Sequence, residues 1–160
     1  MSPTTGPTAD PTAGPTTGPT TGPTTAELLV GGWQLDSYLT EDDGEFSEGP
    51  LGPAPRGLLI YSADGRVSVS MMRTDGPPAG PGRFMGYAGS WHLVEDDGAP
   101  GTRVVHDVAV SSHPYMVGSR QLRDLTLTGD VLTLAGSAGA AGGPSERRVL
   151  TWSRTTGGAA

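Results

Sequence analysis

From Trp33 onward the chain never sustains a helical period. Apolar residues alternate with polar ones in short runs, and Gly, Pro and Asp clusters end each run before it reaches helix length. A chain punctuated in this way builds strands. About eight are predicted, at Trp33–Leu39, Gly57–Ser62, Arg66–Arg73, Tyr87–Glu95, Arg103–Ser111, Arg120–Thr128, Val131–Leu134 and Arg147–Arg154. Ala63-Asp64-Gly65 and Thr128-Gly129-Asp130 supply tight-hairpin chemistry, so consecutive strands are expected to be antiparallel neighbours. Glu95-Asp96-Asp97-Gly98 and Ser137–Ser145 read as longer loops. Thr74–Gly82 is a Gly/Pro segment placed to cover one end of whatever the strands enclose.

No long helix is available to cover one face of an open sheet, so about eight strands must split into a sandwich or close on themselves. Closure removes both exposed edges. Hairpin-like spacing favours an all-β, antiparallel, up-and-down barrel of about eight strands, with an immunoglobulin-type sandwich as the alternative. A barrel of that size either fills with its own side chains or holds one small ligand.

The N-terminus is different in kind. From Gly6 to Thr25 a Gly-Pro-Thr-Thr-like unit recurs with Pro7, Pro11, Pro15, Pro19 and Pro23 in phase. Each proline removes a backbone donor, and the glycines add chain entropy that no apolar surface offsets. A disordered tail is expected over residues 1–25, serving as spacer or solubility segment or, alternatively, as a glycosylated stalk. The barrel domain is expected over 26–156 and a short disordered C-terminus over 157–160. Thr24 and Glu27 form a Thr-x-x-Glu capping box ahead of Leu28, Leu29 and Val30, which predicts one helical turn running into the first strand.

Charge and composition remove several function classes. The net charge is −7 and no Lys or Arg precedes Arg56, so nucleic acid and anionic membrane are poor partners. There is no cysteine, which removes disulfides and thiolate chemistry, and all ten cations are arginine, which removes a Schiff-base lysine. No run approaches the ~18 apolar residues that span a bilayer, and the N-terminus lacks the pattern of a signal peptide, so a cytoplasmic protein is expected. Three histidines with no i, i+2 or i, i+4 pairing, and carboxylates concentrated in turns, assemble no obvious metal ligand set; no nucleophile elbow and no phosphate-binding glycine loop is present, and no cofactor is expected.

Several short motifs follow one another in a telling order: Gly31-Gly32-Trp33-Gln34-Leu35, Pro50-Leu51-Gly52-Pro53, and Gly57-Leu58-Leu59-Ile60-Tyr61-Ser62-Ala63-Asp64-Gly65. Ser68-Val69-Ser70-Met71-Met72-Arg73, Tyr87-Ala88-Gly89-Ser90-Trp91, Val105-His106, Pro114, Val117-Gly118, Arg123 to Leu127, and Leu150-Thr151-Trp152 continue it. In this the chain resembles the bacterial and fungal lipocalin-like domain family over essentially its whole ordered region. The resemblance implies a lipocalin-like barrel, a fold that hosts transport, storage, cyclisation and isomerisation alike. It also implies that Trp33 and Trp152 plug a closed end with Arg154 stacked there. The chain departs from the family in three places. Only Thr74–Gly86 fills a segment that is longer in relatives, His106-Asp107 stands where many have His-His, and His113-Pro114-Tyr115-Met116 replaces a Phe-Pro-Asn-Trp-like stretch.

Side chains two apart on a strand share a face. Val104, His106, Val108 and Val110 form the more apolar set of their strand and are placed inside; Arg123 goes in with Leu125 and Leu127, Tyr87 with Gly89, Trp91 and Leu93, and Trp33 with Leu35. A buried cation needs a partner, water or an anionic ligand. His106, Arg123 and Tyr87 are therefore the candidate catalytic groups, each with a plain structural reading beside it: a satisfied core histidine, an ion pair, a wall residue. Ser68, Ser70 and Met72, taken as the inward set of their strand, with Tyr61, Trp91, Val108, Tyr115 and Gln121, are the candidate ligand-binding residues. His113 falls at the cavity mouth or in solvent. Two functions fit this interior. One is a cofactor-free cyclase or isomerase acting on a hydrophobic specialised metabolite; the other is a non-catalytic carrier of a small apolar ligand, monomeric or homodimeric in either case. Removal of Met1 to Pro23 is expected to leave the melting temperature nearly unchanged in a thermal scan; a large fall would mean that the tail packs on the barrel.

Overall fold

Strand pairing runs without interruption from the first strand to the last and then returns to the first. The computed structural model describes residues 22–77, 80, 82–95, 102–138 and 146–156. Residues 1–21 of the tail expected over 1–25, the loops at 96–101 and 139–145 and the C-terminus over 157–160 lie outside the described residues. A short helix α1 (Thr25–Leu29) leads into β1 (Gly31–Asp42), β2 (Glu45–Glu48), β3 (Arg56–Tyr61), β4 (Arg66–Met72), β5 (Phe84–Glu95), β6 (Thr102–Ser111), a 3-10 turn at Pro114–Met116, β7 (Arg120–Thr128), β8 (Val131–Ala138) and β9 (Glu146–Arg154). All neighbours are antiparallel, in the order β2-β1-β3-β4-β5-β6-β7-β8-β9. A further ladder from Trp33 opposite Arg154 to Glu41 opposite Arg147 closes β1 on β9. The result is an eight-stranded antiparallel barrel, as predicted, and not a sandwich.

β2 is the ninth strand and lies outside the closed ring, paired only with the far half of β1. It has no counterpart among the predicted strands. All four of its residues are exposed, so it carries none of the one-sided alternation by which the others were recognised.

The closed end is built as the resemblance implied. Thr24 and Glu27 cap α1 reciprocally at 2.8 and 3.2 Å. The Trp33 indole, fully buried, donates from Nε1 to the Leu29 carbonyl at 2.9 Å, and the Arg154 guanidinium lies 4.2 Å above the Trp33 ring. Arg154 also donates to the carbonyls of Leu28 and Val30, groups that a helix end leaves without partners. Trp152, Leu59, Val67 and Leu132 fill the same end.

Two face assignments need correction. In β4 it is Val67, Val69 and Met71 that are buried, and Ser68, Ser70 and Met72 that face outward. Those three residues do not line the interior, because the Val/Val/Met face carries the larger apolar area and a closed barrel puts that face inside. Val110, placed inside by parity with Val108, is exposed. The β5–β6 register slips between Ala88 and Gly89: Gly89 opposes Val108 and Ala88 opposes Val110, so Ala109 is an extra residue that turns the rest of β6 over. The bulge is possible because a Cβ at Gly89 would lie 1.9 Å from the Asp107 carbonyl oxygen. Gly89→Ala is expected to cost about 1–3 kcal/mol through overpacking; chemical denaturation showing no loss would mean that this backbone contact relaxes freely.

Candidate functional site

The centre of the barrel holds a hydrogen-bonded file of three rings. His106, on β6, is 1% exposed. Its Nε2 meets the Tyr61 hydroxyl from β3 at 2.7 Å and its Nδ1 meets the Tyr87 hydroxyl from β5 at 2.7 Å. A neutral imidazole has one N–H and one lone pair, so one phenol donates to the ring and the other accepts from it. Burial is the main reason that His106 is held down to about 3, with the Arg123 charge acting in the same direction and Asp107 against it. Burial likewise pushes Tyr87 up to about 12, with Arg123 opposing, and raises Tyr61 well above the ordinary phenol value. The file is therefore uncharged at neutral pH. Trp91 packs on Tyr61 with ring centroids 4.8 Å apart and donates to the Ser62 carbonyl at 3.1 Å.

Toward the open end the interior widens into a cavity of about 1150 Å³ that opens to solvent. Its apolar wall comes from Leu51, Phe84, Met85 and Met116, and its polar groups include Tyr38, Gln121, Arg123 and Arg148. Residues of both faces line it, because the barrel wall is incomplete there. The β7–β8 ladder ends at Asp124 opposite Ala135, although β7 reaches back to Arg120 and β8 runs on to Ala138. Along this seam Arg123 fills the place of the missing strand partner. Its Nη1 donates to the Leu122 carbonyl at 2.9 Å and its Nη2 to Gln121 Oε1 at 2.9 Å. A Cβ at Gly136 would lie 2.8 Å from Arg123 Cδ and from Nη1, so the guanidinium passes where a larger residue would stand.

Several predicted site residues meet in this interior. His106, Tyr87, Tyr61, Trp91 and Val108 pack in the core beneath the cavity, while Gln121 and Arg123 stand in its wall. Tyr115 lines the rim but is 80% exposed, stacked edge-on against His113 at 5.7 Å, so it is a rim residue and not part of an enclosed wall. His113 is half-buried at the mouth. Sequence reasoning missed Tyr38 and Arg148. A bulge at Asp36 separates Tyr38 from the Trp33/Leu35 parity, and Arg148 stands beside Arg147 with nothing in the sequence to say which of the two turns inward.

An eight-stranded up-and-down barrel, plugged at one end and hollow at the other, defines the class of small barrels that enclose a ligand site. The family described as lipocalin-like domain matches residues 30–85 and 81–155, nearly all of the described strands, and the chain belongs to that family. No curated protein matches the chain. No helix among the described residues is long and apolar enough to cross a membrane.

The depressed His106 makes stability depend on pH in one direction. Below its ordinary value of 6.5 the unfolded chain takes up a proton that the folded barrel refuses until about pH 3. The fold therefore loses stability as pH falls through that window and gains none above it. Between pH 7 and pH 5 this one group costs about 2 kcal/mol. His106→Gln lacks this component, so in urea denaturation the stability gap between wild type and variant is expected to narrow by about 2 kcal/mol over the same interval. A constant gap would show that His106 takes up its proton equally in the folded and unfolded states.

Proposed function

We propose that the open end of the barrel is a binding cup for a small apolar molecule and that the chain works as a binding protein or carrier. The observation that carries this reading is the cavity of about 1150 Å³, apolar at Leu51, Phe84, Met85 and Met116 and provided with a few directional groups at Tyr38, Gln121, Arg123 and Arg148. Ligand sites combine apolar wall with polar groups that fix orientation, and this cup has both. In this reading Gln121 and Arg123 form the wall and Tyr115 the rim, while Tyr61, Tyr87, Trp91 and Val108 belong to the packed core.

A cofactor-free cyclase or isomerase acting by confinement is the second reading, favoured by one observation. Arg123 has no carboxylate partner among the described residues and stands where it could polarise a ligand carbonyl. His106 supplies no proton relay in that case. It is neutral and both ring nitrogens are engaged, so its role is to hold the Tyr61 and Tyr87 hydroxyls.

A neutral solvatochromic naphthalene dye is expected to bind the wild-type protein saturably with one site per chain. Met116→Trp, which fills the cup from the rim, should weaken it by about ten-fold or more with an unchanged far-UV circular dichroism spectrum. Absence of saturable binding, or equal affinity in the variant, would remove the cup from consideration. Incubation with extracts of the producing organism separates the two readings: a compound retained unchanged supports the carrier, and a transformed one supports the enzyme.

A further inference from the structure

The arginines of this acidic chain are not spread evenly. Five of the ten line the cup: Arg103, Arg120, Arg123, Arg147 and Arg148. The outer three are held by carboxylates, Arg103 by Asp124 at 2.9 Å, Arg120 by Asp107 at 3.3 Å, and Arg147 by Glu41 and Asp124, each at 3.1 Å. Of the two inward ones, Arg148 is also paired with a carboxylate, Glu146, and Arg123 is not. Arg123 meets no carboxylate among the described residues, only an amide oxygen and a backbone carbonyl. The Arg148 side chain is 17% exposed; its Nη1 donates to Thr40 Oγ1 at 2.7 Å and its Nη2 to the exposed Glu146 at 2.5 Å, while Nε is buried without a hydrogen-bond partner among the described residues.

These two side chains are neighbours across the seam. Arg148 on β9 stands opposite Gly136 on β8, and Gly136 is the residue against which the Arg123 side chain lies. Between β7 and β9 there is thus one strand, represented at this level by a residue with no side chain. Tyr38, adjacent on β1, is buried and lines the same cavity. Burial raises its phenol, and the charges of Arg148 and Arg123 both pull it back, so both guanidinium groups act on the same point.

We propose that the seam between β7 and β8 is an oxyanion port, in which the carboxylate of an apolar organic acid seats between Arg123 and Arg148 beside the Tyr38 hydroxyl. The apolar body of the acid then lies against Leu51, Met85 and Met116 in the cup. A guanidinium fork matches a carboxylate in shape and in charge, and two forks with one hydroxyl leave each carboxylate oxygen more than one donor. The inference rests on the cup reading and narrows it from an apolar ligand to an acidic one.

A matched pair of probes tests it on the full chain: a dansyl-tagged undecanoic acid and its methyl ester, titrated by fluorescence at low and high salt. The wild-type protein is expected to prefer the acid by about ten-fold or more, with the preference shrinking as salt rises. Arg123→Met should bring the acid-to-ester ratio close to one, and Arg123→Lys should restore part of it. Equal affinities of acid and ester in the wild type, or a ratio that Arg123→Met leaves intact, would overturn the oxyanion port and leave the cup standing. Failure of both probes to bind would overturn the cup and the port together. An alkyl phosphate of the same length is the third arm, and tighter binding of the phosphate than of the acid would overturn the assignment to carboxylates.

Discussion

Closure of β1 on β9 is the constraint from which the rest of the molecule follows. The ladder from Trp33 to Glu41 turns a row of antiparallel hairpins into a ring, open along the β7–β8 seam, with β2 outside it. Once the ring closes, every strand must commit one parity to an enclosed space, and the chain has enough large side chains to fill only part of it. Trp33, Trp152, Leu59 and Leu132 crowd the end sealed by α1 and Arg154. Toward the opposite rim the inward positions become Tyr38, Gln121, Arg123, Gly136 and Arg148, which neither fill space as aliphatic residues do nor tolerate dry burial. A hollow end follows from the order of residue types along each strand.

Between the plug and the hollow lies the Tyr61–His106–Tyr87 file, which joins the two regimes. Three polar rings at this depth would be costly if any were left unsatisfied, yet each ring nitrogen of His106 has a phenol and each of these phenols has the imidazole. The file ties β3, β5 and β6 together from inside and stays uncharged, because burial pushes the imidazole and both phenols towards their neutral forms. The charges begin one layer higher, at Arg123, whose field reaches all three rings without touching them.

The fold was legible in the sequence because strand alternation, hairpin turns and the capping box all pointed the same way. The buried His106 and the inward Arg123 followed from parity within single strands, and so did the Trp33–Arg154 plug once the resemblance was recognised. Parity failed wherever the backbone was irregular. The Ala109 bulge turned Val110 outward, the Asp36 bulge hid Tyr38, and β2, exposed on both faces, had no parity to read. In β4 alternation itself was correct and the choice of face was not, since two sets of alternating residues can be told apart only by which buries more apolar area. Above all, the β7–β8 seam is a property of pairing between strands. No single-strand pattern in Arg120–Thr128 or Val131–Ala138 announces that the two part company after Asp124 and Ala135.

Why the chain uses arginine and no lysine at this rim has a physical answer. A lysine carried inward as far as Arg123 or Arg148 could shed its proton and become a neutral amine, easing the desolvation penalty with no partner at all. A guanidinium does not deprotonate under these conditions, so each of these side chains remains a permanent cation and must be satisfied by water, by protein oxygens or by an anion. Gln121, Thr40, Glu146 and the Leu122 carbonyl supply part of what is needed, chiefly at the Nη positions. Arg148 Nε is left with none of it. On a chain whose net charge is −7, four of the five guanidinium groups around the opening are paired with carboxylates, so local attraction for an approaching anion centres on Arg123. The acidity of the whole is thus compatible with one unpaired guanidinium at the rim, beside the stretch where β7 and β8 part.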